Sequence, residues 1–141
     1  KENDYLDVIS VTKGKGFSGV IKRAGVTLAP RKATGKRRHV GSGGAWTPTR
    51  KLYTEHQPGQ LGYHGRVELN KAILKIGEDG TDITPSGGFL RYGPVRGPYV
   101  MLAGSIPGPV KRVIRLTHPR RPGADISYSI THISTHSPQG V

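Results

Sequence analysis

The chain contains no cysteine among its 141 residues. A disulfide framework and a thiolate metal site are therefore excluded, and the composition fits a reducing compartment. No apolar run approaches the roughly 20 residues that a membrane-spanning helix needs, and no segment combines a basic and an apolar face at helical spacing. The net charge of +13 and the pI near 10.4 therefore point to nucleic acid rather than to a membrane surface.

Acidic residues are missing from a long stretch in the first half of the chain, Val8 to Thr54. All nine acids lie outside it, whereas half of the 22 lysines and arginines lie within it: Lys13, Lys15, Lys22, Arg23, Arg31, Lys32, Lys36, Arg37, Arg38, Arg50 and Lys51. Because these cations have no acid among them, they repel one another unless a polyanion supplies counterions. The stretch predicts an arm bound to nucleic acid, and a disordered basic linker is the alternative.

Aromatic residues are scarce, at 6% of the chain, and the one tryptophan stands inside the basic stretch. Trp46 follows Gly43 and Gly44 and precedes Pro48. Glycine allows a close approach of the backbone to another surface, and a flat ring stacks on a base. A lone tryptophan is otherwise a common core residue, but the polar, glycine-rich neighbours favour RNA contact.

Hydrophobic residues are only 33% of the chain, with 21 glycines and 11 prolines, a composition that favours short strands joined by turns. The apolar pattern predicts strands over Leu6–Thr12, Tyr99–Leu102 and Val110–Leu116. Arg66–Ile76 is compatible with a helix or a strand, and the closing glycine favours a strand. Ser127–Ser134 is expected to add an edge strand or to lie along a partner.

The segment Gly14–Gly19 matches the G-x-G-x-x-G pattern of dinucleotide-binding proteins. That interpretation requires a following helix and an acidic residue about 20 positions later. The residues after Gly19 reach Gly25 within one turn, and His39 stands near the position of the acid. We therefore expect a glycine-rich turn between two strands, with its lysines facing phosphate.

A long segment from Ala24 to Tyr63 has neither helical nor strand periodicity. If it doubles back near residues 41–46, each leg has about 20 residues and extends up to about 65 Å. A globule of this size has a radius of gyration of only about 14 Å. The segment can therefore reach well outside the domain that carries it, which is the expected use of so long an irregular loop.

Catalytic and metal-binding patterns are lacking. His132 and His136 are four residues apart, but no third ligand or helix accompanies them. The acids at 78–82 cluster at an exposed turn, and no nucleophile, base and orienting acid form a set. His56 and His64 flank a turn and either contact RNA or are simple surface residues. We expect no enzyme activity, cofactor, metal or small-molecule substrate.

Several blocks of residues recur in a recognisable order: Asp7-Val8, Val11-Thr12-Lys13-Gly14-Lys15-Gly16-Phe17-Ser18-Gly19, Lys22-Arg23, Gly25-Val26, Gly44-Ala45-Trp46, Gly59-Gln60, Gly62-Tyr63-His64, Arg66, Glu68-Leu69-Asn70-Lys71, Thr84-Pro85, Gly87-Gly88-Phe89, Tyr92-Gly93, Gly104-Ser105, Pro107-Gly108 and Lys111-Arg112. Together they resemble the large-subunit ribosomal protein L3 family. The Gly-Ala-Trp and Gly-Tyr-His blocks resemble its archaeal and eukaryotic branch. Members of that family are longer at the N-terminus, so we expect this chain to be N-terminally incomplete.

The resemblance implies a mainly β fold, with a partly incomplete β-barrel of the translation-protein type (SH3-like, as in elongation factors) and a long basic extension. Barrel strands and a glycine-rich turn are expected at 1–26 and further strands at 64–118. The extension occupies 27–63, with its tip near 41–48. A tail follows at 119–141.

The resemblance also implies a structural constituent of the large ribosomal subunit that binds 23S/28S-type rRNA. Such a protein supports subunit assembly and shapes the region near the peptidyl transferase centre and the path of aminoacyl-tRNA, while RNA catalyses peptide transfer. Its partners would be large-subunit rRNA and neighbouring ribosomal proteins in the cytoplasm, with an indirect influence on tRNA. A generic basic protein that binds or compacts DNA is the alternative, although such proteins spread their basic residues over repeated contacts.

Combining charge, position and resemblance, we expect a set of residues to contact RNA. They are Lys13, Lys15, Lys22, Arg23, Arg31, Lys32, Lys36, Arg37, Arg38, His39, Trp46, Arg50, Lys51, His64, Arg66, Lys111 and Arg112.

Overall fold

The computed structural model describes residues 1–125 and 127–137. They divide into two compact units. The first, which we call the sheet unit, comprises Lys1–Thr12 and Gly65–Val141, and the second, the basic unit, comprises Lys13–His64. Strands outnumber helices in the described residues, so the predicted mainly β class is confirmed.

The sheet unit contains a four-stranded antiparallel sheet. Its strands are β1 (Tyr5–Val11), β4 (Gly65–Gly77), β5 (Tyr99–Leu102) and β6 (Arg115–Thr117), arranged in the order β5-β4-β1-β6. The sheet is open, because β5 and β6 each have only one neighbour among the described residues. The predicted strands β1, β4 and β5 are confirmed, whereas the barrel stays a prediction.

The core of the sheet unit is small. Val8 on β1, Ala72 and Ile73 on β4, and Ile83 are buried, and Ala72 lies opposite Tyr5 in the ladder between β1 and β4. β-branched residues fit a pleated, half-buried surface well, which explains why these segments form strands. Most other large apolar side chains of the sheet keep substantial exposure.

A β-bulge between β1 and β4 places a carboxylate inside the sheet unit. The register moves by one residue between Leu6 and Val8, opposite Asn70, whose φ is 53°. The Asn70 N–H donates to Oδ1 of the buried Asp7 at 3.0 Å, and the Arg120 N–H donates to Oδ2 at 2.9 Å. These two donors lower the pKa of Asp7 below its ordinary value, with Asn70 the larger cause. Asp7 thus satisfies the backbone donor that the bulge releases.

A second charged group joins β4, β5 and a 3₁₀ turn at Gly80–Asp82. Lys75 forms an ion pair with Asp82, and the Tyr99 hydroxyl lies 3.1 Å from Asp82 Oδ2. The hydrogen bond from Lys75 lowers the pKa of Asp82, and the same contact raises the pKa of Lys75. The turn is therefore tied by side chains to the outer strand pair.

Two strand predictions in the sheet unit need correction. The strand expected over Val110–Leu116 is only Arg115–Thr117, because Lys111 takes a φ of 69° within a turn that starts at Pro109. Residues 127–134 form no strand, so the edge-strand alternative is wrong, whereas the alternative that they lie along a partner stays a prediction. The Tyr128 N–H instead donates to the Asn3 side chain at 2.9 Å, so its hydrogen bond is made outside any ladder.

The basic unit has little regular structure. Strand β2 (Phe17–Ser18) pairs with β3 (Gly59–Gln60), and helix α1 (Val20–Ala24) follows β2 directly. The expected turn between two strands, with no helix after it, is therefore wrong in its second half. The helix has one turn and ends because Gly25 takes a left-handed φ of 68° and donates to the Ile21 carbonyl.

Candidate nucleic-acid interface

The basic unit concentrates positive charge on its surface. Its eleven lysines and arginines are all exposed, and Glu55 is its one acid. Within residues 1–125 and 127–137, none of these eleven cations forms an ion pair with a carboxylate. Self-repulsion in this unit is therefore left without internal compensation, which is the condition that favours an external polyanion.

The base of the basic unit is held by backbone hydrogen bonds between its two ends. The Lys15 N–H donates to the Leu61 carbonyl, and the Leu61 N–H donates to the Gly16 carbonyl, both at 2.9 Å. At Gly62, whose φ is 73°, a Cβ would lie 2.0 Å from the Lys13 carbonyl oxygen. Only glycine fits this crossing, so Lys13 and Lys15 are presented from a firmly joined pair of chain segments.

Arg23 uses its guanidinium inside the basic unit. Nη1 donates to the Gln57 carbonyl at 2.7 Å and Nε donates to the Gln60 carbonyl at 3.1 Å. The planar fork of arginine suits such a double contact. Arg23 therefore fastens α1 to the returning chain, whereas the adjacent Lys22 extends an exposed ammonium from the same helix.

A closed loop forms the middle of the basic unit. The Ala29 N–H donates to the Arg37 carbonyl at 3.1 Å, and Arg37 Nε donates to the Ala29 carbonyl at 3.0 Å. These paired contacts close residues 29–37 into a loop. The exposed cations along this loop are Arg31, Lys32 and Lys36. Arg37 therefore closes the loop through its side chain, whereas these three neighbours are available to contact phosphates.

The tryptophan lies in residues 41–48, the segment predicted to form the tip of the extension, which we call the tip. The Trp46 side chain is 88% exposed, which excludes the core interpretation. It lines a concavity of about 450 Å³ together with Gly43, Arg50, Lys51 and Glu55. An indole that is open to solvent beside cations is a suitable surface for base stacking.

A second concavity, of about 240 Å³, lies between the tip and the start of α1. Arg38, His39, Lys51 and His56 contribute to its lining. Lys51 lines both concavities. The predicted contact residues of the segment 38–51 therefore lie around two adjoining hollows.

Three predicted contact residues belong to the sheet unit. Lys111 is exposed, and Arg66 is exposed on β4. Arg112 is half-buried, and its Nη1 donates to the carbonyls of Val11 at 3.1 Å and Thr12 at 3.2 Å. Arg112 thus supports the end of β1, and part of its donor capacity is used within the protein.

Sequence reasoning missed three aromatic residues of the basic unit. Phe17, Tyr53 and Tyr63 are 79%, 99% and 67% exposed. Each stands beside glycine, lysine or threonine in the sequence, the same kind of setting that marked Trp46. The unit therefore presents several flat rings among its cations, the combination typical of surfaces that bind single-stranded RNA.

Two further kinds of feature, membrane-spanning helices and groups of metal ligands, are absent from the described residues. No helix within residues 1–125 and 127–137 has the length and apolar character needed to cross a bilayer. In the same residues, no three histidines or acids come together in a group suited to a metal ion.

Comparison with known proteins identifies the family. The model of the family "Ribosomal protein L3" matches residues 1–140. The chain belongs to the ribosomal protein L3 family. It is 51% identical to large ribosomal subunit protein uL3 of Methanopyrus kandleri, covering 99% of this chain and 40% of that protein.

Other L3 relatives give the same picture. The uL3 proteins of Methanothrix thermoacetophila and Methanocaldococcus jannaschii are each 50% identical, covering 98% and 99% of this chain and 43% of each relative. The resemblance to the archaeal and eukaryotic branch of the family, inferred from the sequence blocks, is confirmed by these archaeal relatives. The chain spans less than half the length of these curated L3 relatives.

Proposed function

We propose that this chain is a structural part of the large ribosomal subunit and binds large-subunit rRNA through its basic unit. The observation that carries the proposal is the set of eleven exposed cations in Lys13–His64, accompanied by a single acid and by no ion pair within the described residues. Membership of the L3 family supports the choice of rRNA over DNA.

The local structure of the basic unit supports RNA binding by an irregular basic segment, which we propose acts as an arm. Its ends are joined at the lysines near Gly14 and at Leu61, and the chain between them is irregular and glycine-rich. RNA is recognised mostly in loops and single strands, where bases stack on aromatic rings and phosphates contact cations. Trp46 and Tyr53 on this arm supply the rings.

The finer role proposed is the one implied by the family. The arm, with its tip near 41–48, would lie in the region of the peptidyl transferase centre and shape the path of aminoacyl-tRNA. The sheet unit would contact rRNA and neighbouring ribosomal proteins during subunit assembly in the cytoplasm. The protein's own residues would contribute shape and charge, whereas RNA would carry out peptide transfer.

The test is a salt titration of rRNA binding by the full chain. We expect the logarithm of the association constant for a large-subunit rRNA fragment to fall linearly with the logarithm of salt concentration, because each phosphate contact releases counterions. With six or more contacts the affinity should fall roughly a thousandfold between about 50 and 200 mM salt. Affinity that barely changes with salt would reject the proposal, as would equal binding to duplex DNA of the same length.

A further inference from the structure

We propose that the concavity at the tip of the basic unit binds a guanine base turned out of single-stranded RNA. Its volume of about 450 Å³ lies within the range of about 300–1000 Å³ found for small-ligand sites. Trp46, Arg50, Lys51 and Glu55 all line it. The inference rests on the RNA binding proposed above and adds a base identity to it.

Glu55 is the unexpected member of this site. It is the one acid of the basic unit, it is half-buried, and its backbone N–H donates to the Leu52 carbonyl at 3.1 Å in a turn. Within residues 1–125 and 127–137, its carboxylate forms no hydrogen bond or ion pair with another side chain. An ionised carboxylate only accepts hydrogen bonds, so beside RNA phosphates it is favourable only if the ligand brings donors.

The glycines at the tip determine where this carboxylate lies. A Cβ on Gly43 would be 2.7 Å from Glu55 Oε2 and 3.4 Å from Lys51 Cε. Any larger residue at this position would therefore displace the carboxylate. Glycine leaves Glu55 at the wall of the concavity, with the Lys51 side chain running beside it.

Guanine is the base whose edge matches a carboxylate. Its Watson–Crick edge presents two adjacent donors, N1–H and the 2-amino group, which can meet the two oxygens together. Uracil presents one donor between two carbonyls, and adenine and cytosine each place a ring-nitrogen lone pair beside their amino group. Charge-assisted double hydrogen bonds of this kind are both strong and geometrically specific, so the carboxylate selects guanine over the other bases.

The remaining side chains of the site suit a base that is still part of a chain. The exposed indole of Trp46 offers a stacking surface. Arg50 and Lys51 on the same lining can contact the phosphates on either side of the base. A free guanine nucleotide would satisfy Glu55 and Trp46 but would lack one of the two flanking phosphates.

The experiment compares short labelled RNAs by fluorescence anisotropy with the full chain at one salt concentration. The pentamer UUGUU should bind roughly tenfold or more tightly than UUUUU, as expected for a good double hydrogen bond to a base. The same pentamer with inosine, which lacks the 2-amino group, should lose most of that preference. Free 5′-GMP should bind more weakly than UUGUU.

The decisive variant is Glu55→Gln, which removes the charge and leaves the backbone turn at Leu52 intact. We expect the preference for guanine to fall to about unity while affinity for UUUUU holds or rises, because a repulsive charge is lost. Glu78→Gln is the matched control, since Glu78 is an exposed acid of the sheet unit, and should preserve the preference. Circular dichroism of each variant confirms that it is folded.

Three results would overturn the inference: equal affinity of the original chain for UUGUU and UUUUU, a guanine preference that survives in Glu55→Gln, or binding of 5′-GMP as tight as that of UUGUU. Salt-dependent binding of both pentamers without a preference would reject the guanine site alone. Absence of salt-dependent binding to any RNA would instead reject the proposed function itself.

Discussion

The two units of the molecule use charge in opposite ways. The ion pairs between side chains in the described residues, Lys71 with Glu68 and Lys75 with Asp82, belong to the sheet unit. The basic unit has eleven cations, one acid and no such pair within residues described by the structure. Charge in the sheet unit is therefore partly neutralised within the protein, whereas charge in the basic unit is available to a partner.

The units also differ in how their backbone groups are satisfied. In the sheet unit, backbone hydrogen-bond ladders join four strands. At the β-bulge, the Asp7 carboxylate accepts a hydrogen bond from the Asn70 N–H, which has no partner in the ladder. In the basic unit, Arg23 donates to the carbonyls of Gln57 and Gln60, and Arg37 donates to the carbonyl of Ala29. Arginine side chains thus take over part of the role of a ladder where apolar residues are too few to form a sheet with a core.

The largest expected effect tests the contrast in charge. Replacing Lys36, Arg38, Arg50 and Lys51 together by glutamine should lower rRNA affinity by on the order of a hundredfold or more at low salt. If each of these four side chains contacts one phosphate in the original chain, the slope of log affinity against log salt concentration should become about three units less steep. Each phosphate contact contributes about 0.7 to 0.9 to that slope. Isothermal titration at several salt concentrations measures both quantities.

The control for that set is the same change at four exposed arginines of the sheet unit: Arg91, Arg96, Arg115 and Arg121. We expect it to change the slope by less than half as much. Equal losses of rRNA affinity from the two sets of substitutions would show that the cations of the basic unit have no special part in binding. Affinity would then depend on total charge alone.

A middle-sized effect tests where stability lies. Ile73 is buried on β4, and Ile76 on the same strand is exposed. Ile73→Ala should lower the free energy of unfolding by about 2–5 kcal/mol, the usual cost of a cavity in a core. Ile76→Ala should cost under about 1 kcal/mol, because most of what it removes already faces water.

Urea unfolding followed by circular dichroism measures this difference. Under conditions in which both variants are folded, their affinity for rRNA should stay within about twofold of that of the original chain. The reason is that neither isoleucine belongs to the basic unit. A tenfold loss of affinity in folded Ile73→Ala would show that rRNA binding depends on the packing of the sheet unit as much as on the cations of the basic unit.

The smallest expected effect is the pH dependence of the sheet unit. The pKa values of Asp7 and Asp82 are lowered from 3.8, so their stabilisation is present above that pH and is lost as the pH falls through the folded values. The pKa of Lys75 is raised above 10.5, so its contribution is present below that pH and is lost as the pH rises through its folded value.

Urea midpoints between neutral pH and pH 2 measure the acid limb. Asp7→Asn should be less stable than the original chain at pH 7, and its stability should fall less on acidification. Asp125→Asn, which changes an exposed acid, should show the same pH dependence of stability as the original chain. Trp46 emission should barely report this transition, because its indole is already open to solvent. An unchanged acid limb in Asp7→Asn would reject the buried carboxylate as its origin.

Part of the fold could be predicted because it is local. Alternating β-branched residues located β1, the closing glycine favoured a strand over a helix for β4, and the predicted bounds Tyr99–Leu102 coincide with β5. The last strand was misplaced because Lys111 adopts a left-handed backbone conformation. This conformation is uncommon for residues other than glycine, so nothing in the sequence indicated it. Helix α1 was missed because one turn of helix has no periodicity to detect.

In the candidate site, too, some features could be predicted from the sequence and others depended on the tertiary structure. The exposure of Trp46 was foreseeable from its glycine and proline neighbours, whereas the contacts of Arg23 join residues 34 and 37 positions apart. Those contacts depend on where the returning chain passes. They convert a predicted RNA contact into a residue that also holds the base of the basic unit.

Sequence alone determined the charge of Lys13–His64, its lack of helical or strand periodicity after Ala24 and the family of the chain, since composition and residue order suffice for each. Tertiary structure decided which cations support the protein and which stay available, and it brought Glu55 to the wall beside Trp46. The reason is physical: charge is additive along a chain, whereas a hydrogen bond exists only when two groups that are distant in sequence come within about 3 Å.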